Sequence, residues 1–196
     1  MSSTINALTS GGGLAMAGDT SGQLALQSAG TTFATGNQYG IGLGTAVPSS
    51  GIGIAFPATQ SASSDANTLD DYEEGTWTVT DGSGAGLTFS TSTATYTKIG
   101  SMVYFAFDIT YPSTASSAGA KVLLPFTVAS VPSGGASGSN GGAFITYTGS
   151  NQAITGGYML SGTAGMIYYT SAGTNVTNAN LSTKEFSVAG FYKSTS

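Results

Sequence analysis

The chain has 196 residues, nine acidic and four basic side chains, a formal net charge of −5, and no Cys, His or Arg. Without Cys there are no disulfides, thiolate nucleophiles or Cys-type zinc sites, and without His the commonest general base and transition-metal ligand are gone. Four lysines cannot lay a cationic track along a nucleic-acid backbone, so no nucleic-acid partner is expected.

Charged residues make up 7% of the chain, against about 25% in an average protein. Hydrophobic residues at 40% and aromatic residues at 10% exceed what disordered chains carry, so the chain is expected to fold. Gly, Ser and Thr are abundant and no stretch longer than a turn or two spaces apolar residues at three and four, which predicts an all-β protein. Met1 is followed by polar Ser2-Ser3-Thr4, and apolar runs such as Val122-Leu123-Leu124 are short and stopped by Pro125. Neither a secretory leader nor a membrane span is expected.

Residues 1–59 hold short apolar alternations separated by Gly, Ser, Thr and Asn turns. The apolar positions are Leu24 and Leu26, then Ile41 and Leu43, then Ile52, Ile54 and Phe56. Strands this short cannot close a core of their own, so the segment reads as an extended Gly-rich arm that orders against a partner surface. Those seven side chains are the candidate partner-binding residues.

Residues 60–75 contain Asp65, Asp70, Asp71, Glu73 and Glu74, five of the nine acids. Thr68 followed by Asp71, with Gly75 at a capping position, predicts a linker with one short helical turn. The carboxylates lack the Asp-x-Asp-x-Asp-Gly order of a calcium loop, so a solvated turn is favoured over a metal site.

Residues 76–196 carry longer strand signals. In Met102 to Tyr111, the residues Val103, Phe105, Phe107, Ile109 and Tyr111 share one face, and Ala106, Asp108 and Thr110 the other. Further strands are expected at Thr76–Thr80, Thr93–Ile99, Lys121–Leu124, Ala143–Thr148, Tyr158–Ser161, Gly165–Thr170 and Glu185–Tyr192. Short strands at such regular intervals, with no crossover helices, predict an antiparallel β-sandwich of jelly-roll type.

No catalytic constellation emerges. Gly40-Ile41-Gly42-Leu43-Gly44 opens no helix, so it is not a dinucleotide site, and no phosphate-binding Gly-Lys-Ser/Thr sequence occurs. Without His, only Ser–Lys chemistry or paired carboxylates would remain, and Asp108 and the acidic run lack the aromatics and amides of a sugar cleft. Tyr147, Tyr158, Tyr168 and Tyr169 read as ordinary strand aromatics rather than a sugar-stacking surface. No enzyme activity and no cofactor are expected.

Three stretches, Asp19 to Gly30, Tyr39 to Thr45 and Ala66 to Thr78, together with Ala94 to Phe105 and the close Phe186-Ser187-Val188-Ala189-Gly190-Phe191-Tyr192, resemble the fibre and decoration proteins of tailed bacteriophages. The segment Leu69-Asp70-Asp71-Tyr72-Glu73-Glu74-Gly75-Thr76-Trp77 is the most specific. The resemblance implies a virion structural protein, a homotrimer in which the N-terminal arm, residues 1–59, attaches to the major capsid protein and intertwines within the trimer, and the β domain projects. It implies a place on the capsid surface, after assembly in the host cytoplasm, and carries no catalytic residues across. Tail fibres are commonly longer, with shafts this chain has no room for, so a decoration (cement) protein or short head fibre is expected. The alternative is a short tail fibre whose C-terminal loops, such as 133–142 or 170–183, touch a host glycan.

Overall fold

The computed structural model describes residues 22–59, 63, 65, 67–130 and 140–195, and the chain divides into two units, 1–60 and 61–196. The first 21 residues of the expected arm and most of the 133–142 loop therefore lie outside the described residues.

In the first unit, strands β1 (Leu24–Ser28), β2 (Thr31–Asn37), β3 (Gly40–Leu43) and β4 (Gly53–Ala55) make a four-stranded sheet in that order. β1 and β2 form a hairpin whose two turn residues, Ala29 and Gly30, have φ of 49° and 78°. Positive φ at both positions suits the right-handed twist of the flanking strands. β2 pairs antiparallel with β3, and β3 pairs parallel with β4, Ile41 lying opposite Ile54. The arm expected to wait for a partner thus carries a sheet of its own, stabilised by backbone pairing more than by a core: Ala34 is its only buried hydrophobic residue among those described.

The described residues of the second unit carry a single antiparallel sheet of nine strands: β5 (Tyr72–Thr76), β6 (Thr80–Asp81), β7 (Ser90–Ile99), β8 (Met102–Thr110), β9 (Lys121–Leu123), β10 (Gly141–Thr148), β11 (Ile154–Met159), β12 (Gly165–Thr170) and β13 (Glu185–Lys193). Their spatial order is β5-β7-β8-β13-β10-β11-β12-β9-β6. The two end strands, β5 and β6, are separated along the chain only by Trp77, Thr78 and Val79. A link of three residues spans little more than 10 Å, so the sheet has to curl until its ends approach. Trp77 holds the closure: its backbone N–H donates to the Ala94 carbonyl of β7 at 3.3 Å, and its indole N–H donates to the Leu123 carbonyl of β9 at 3.3 Å.

The alternation expected in β8 is present. Val103, Phe105, Phe107 and Ile109, continued by Tyr111, are buried, and Phe186, Val188 and Tyr192 of β13 meet them from the neighbouring strand. Trp77 sits edge-on to both Phe105 and Phe107 at 6.4 and 6.1 Å between centroids. Burying such side chains is the main stabilising term, about 1.5–3 kcal/mol for each.

Three expectations shift. Residues 72–75, read as linker, form most of β5. Before it, a single turn closes from the Thr68 N–H to the Asp65 carbonyl, and the described residues of this stretch hold no helix. Of the strand expected over Thr76–Thr80, Thr76 ends β5, Thr80 opens β6, and Trp77, Thr78 and Val79 link the two ends of the sheet. β11 runs over Ile154–Met159, earlier than Tyr158–Ser161. Among the described residues, no helix is long and apolar enough to cross a membrane.

Candidate functional site

Strand pairing in the first unit sorts its large side chains by face. Leu24 lies opposite Gly36, Gly36 opposite Ile41 and Ile41 opposite Ile54, while Leu26 lies opposite Ala34 and Ala34 opposite Leu43. Paired residues share a face, so Leu24, Leu26, Ile41, Leu43 and Ile54 converge on one side of the sheet. Leu24, Leu26, Ile41 and Ile54 are exposed and Leu43 is half-buried. Of the other two expected residues, Ile52 stands just before β4 and is 93% exposed, and Phe56 follows β4 and is half-buried.

The surroundings reinforce this face. Between Asp19 and Asp65 the chain has no Asp, Glu, Lys or Arg, so contact here is governed by apolar burial and backbone hydrogen bonds rather than ion pairs. Among the described residues β1 and β4 are the edge strands of this sheet, and the outward N–H and C=O groups of an edge form a template for an added strand. Beside β4, Tyr39, Val47, Pro48, Ile52 and Ile54 line a shallow hollow of about 300 Å³. The Asn37 amide fixes its rim, donating to the Pro48 carbonyl at 2.8 Å and accepting from the Tyr39 N–H at 2.8 Å. Two exposed apolar residues escaped the sequence reading: Phe33, on the opposite face of β2, and Val47, which lies outside any strand.

The acidic run of the second unit is distributed rather than clustered. Asp71 pairs with Lys98 in the interior, and the Tyr96 hydroxyl donates to Glu73. The Tyr72 hydroxyl donates to Glu74 at 2.5 Å, and Asp70 accepts from the Ser63 N–H at 2.6 Å. Among the described residues no three acidic side chains are grouped to hold a metal ion. Burial, together with the Glu73 carboxylate to which it donates, pushes the Tyr96 hydroxyl up to about 12. Asp108 accepts from the Ser187 hydroxyl at 2.6 Å on the outside of β8. Of the four tyrosines weighed for sugar stacking, Tyr168 is fully buried against Phe186, Tyr158 and Tyr169 tilt against each other at 6.0 Å, and Tyr147 is exposed.

A second apolar surface went unread in the sequence. The outer face of β8, where the sequence reading named Ala106, Asp108 and Thr110, also carries Met102 and Tyr104, and both are exposed. The period of two was legible, but the apolar character of the other side was overlooked because Ala106, Asp108 and Thr110 dominated it.

Compared with known proteins, the chain matches no family model, no curated protein and no solved structure.

Proposed function

We propose that this chain is a non-enzymatic structural protein of a tailed-phage virion, a trimeric capsid decoration or cement protein or short head fibre that binds and stabilises the capsid surface. The convergence of Leu24, Leu26, Ile41 and Ile54 on one uncharged, exposed face carries this reading. A unit with almost no core of its own is joined to one with an ample core. The first therefore docks on the major capsid protein and the second projects as a jelly-roll-like knob. Docking combines strand addition at β1 or β4 with insertion of Ile52, Ile54 and Phe56 beside them. Each aliphatic side chain so buried contributes on the order of 1.5–3 kcal/mol before the ordering cost is subtracted. Trimeric attachment multiplies a weak single contact through effective concentration.

Cosedimentation with purified particles lacking the chain tests the reading. Deletion of residues 1–59, or the pair Ile41→Asp and Ile54→Asp, is expected to abolish pelleting while the β unit keeps its circular-dichroism spectrum. Retained binding by both variants overturns the proposal.

A further inference from the structure

The outer face of the nine-stranded sheet presents a continuous apolar surface built from four neighbouring strands. Pairing puts Ile99 beside Met102, Tyr104 beside Phe191, and Ala106 beside Ala189, with Phe144 beyond Ala189. Tyr147 lies farther along β10, opposite Ser187. Ile99, Met102, Tyr104, Phe144, Tyr147 and Phe191 are each between 47% and 66% exposed. Together they leave roughly 600–700 Å² of largely apolar side chain in water, reckoned from the usual area of such residues. That meets or exceeds the largest patch of an ordinary monomer, about 300–600 Å². With the alanines and threonines between them, the face approaches the ~800 Å² that one partner gives to a standard interface.

The relief of this face suits a second copy of the chain. The row formed by Tyr104 and Phe191 stands beside a furrow formed by Ala106 and Ala189, closed at one end by Phe144. Ridge and furrow are two residues apart along the strands, about 7 Å, and each copy carries both, so the ridge of one fits the furrow of another. Charged side chains are marginal: Glu74 lies on β5, Glu185 and Lys193 end the outer row of β13, and Asp108 is bonded to Ser187. Aromatic residues and Met at the centre with charge at the rim is the composition of a subunit interface. A sugar platform would need side-chain amides, and none of the outward positions of β5, β7, β8 and β13 is Asn or Gln.

We propose that this face binds further copies of the same chain, with Tyr104 and Phe191 as its centre. The inference names the surface for the trimer of the proposed function and is independent of capsid attachment. Sedimentation velocity on the full chain tests it. The wild type is expected to sediment as an assembly at micromolar concentration. Tyr104→Glu with Phe191→Glu should weaken assembly about 30-fold or more, the scale of losing one hot-spot side chain, with an unchanged circular-dichroism spectrum. Phe144→Lys is a second probe should that pair unfold. A monomeric wild type, or face variants that assemble like it, overturns the inference. A monomer that instead binds host polysaccharide does so in favour of a glycan platform. A monomer that still pellets with particles sinks this inference alone, whereas an assembly that fails to pellet sinks capsid attachment alone.

Discussion

Lys98 and Asp71 form an ion pair inside the curled sheet, their side chains only 4% and 8% exposed. The ammonium also lies 5.7 Å from the centre of the Phe126 ring. Asp71 precedes the edge strand β5 and its carbonyl accepts from the Gly100 N–H at 2.9 Å, so the pair pins that edge to β7. Removing one partner strands a charge in an apolar interior. Lys98→Ala is therefore expected to cost about 3–5 kcal/mol, and Lys98→Met combined with Asp71→Leu to recover most of it. Urea unfolding followed by the fluorescence of Trp77, the only Trp in the chain, measures both. An equal loss in single and double variants would show that the pair does not act as a unit.

Closure of the sheet by Trp77 makes a second prediction. Trp77→Phe keeps one aromatic ring but loses the bond to the Leu123 carbonyl and the indole's second ring, for an expected cost of at least about 0.5–1.5 kcal/mol. Trp77→Ala also empties the space against Phe105 and Phe107, for about 3–5 kcal/mol. Unfolding followed by far-ultraviolet circular dichroism should show the two variants well separated; equal midpoints would argue against the closure.

Alkaline pH should unfold the second unit through its tyrosines. Burial raises Tyr111, Tyr168 and Tyr192 above the ordinary tyrosine value, and burial with Glu73 takes Tyr96 to about 12. In each case the folded state favours the protonated phenol, while the unfolded chain titrates near 10. Their contribution to stability is fully present below about pH 10 and is lost as pH rises through the folded values, for Tyr96 between about 10 and 12. Denaturation at stepped pH should show stability falling from pH 10 upward, and tyrosinate absorbance should show a late-titrating group. All tyrosines of the folded chain titrating together near pH 10 would contradict this.

A substitution at Gly40 separates the two units functionally. Its φ is 125°, and a Cβ there would lie 1.9 Å from the Gly53 carbonyl oxygen of β4. Gly40→Val is expected to break the parallel β3–β4 pair and release Ile54 from the apolar face. Unfolding of the second unit, read by Trp77, should change by less than about 0.5 kcal/mol, whereas particle binding should fall. Unchanged binding would remove Ile54 from the docking surface.

What could be read from the chain depended on whether the signal was local. The β8 alternation was legible because five large side chains recur at every second position. The convergence of Leu24, Leu26, Ile41 and Ile54 was half legible: their spacing marked strands, but the shared face depends on the β1–β2 and β3–β4 registers. β5 was missed because the inward groups in it and just before it are Asp71, Glu73 and Gly75, which look like a solvated linker. Their partners Lys98 and Tyr96 come from a strand more than twenty residues on. Gly75 also faces that strand, where a Cβ would lie 2.6 Å from the Tyr96 hydroxyl and push the tyrosine aside. β11 was displaced because Gly156 and Gly157 carry no pattern. A Cβ at Gly156 would lie 2.9 Å from the Ala143 carbonyl oxygen on β10, an approach that only the folded pairing shows.

The central claim, attachment over the capsid surface, is tested most directly by the copy number of this chain in purified virions relative to the major capsid protein, by quantitative peptide mass spectrometry. Capsid decoration predicts a ratio set by the number of capsid-subunit trimers across the whole shell. A handful of copies per particle would contradict it and place the chain at the tail or at a single vertex.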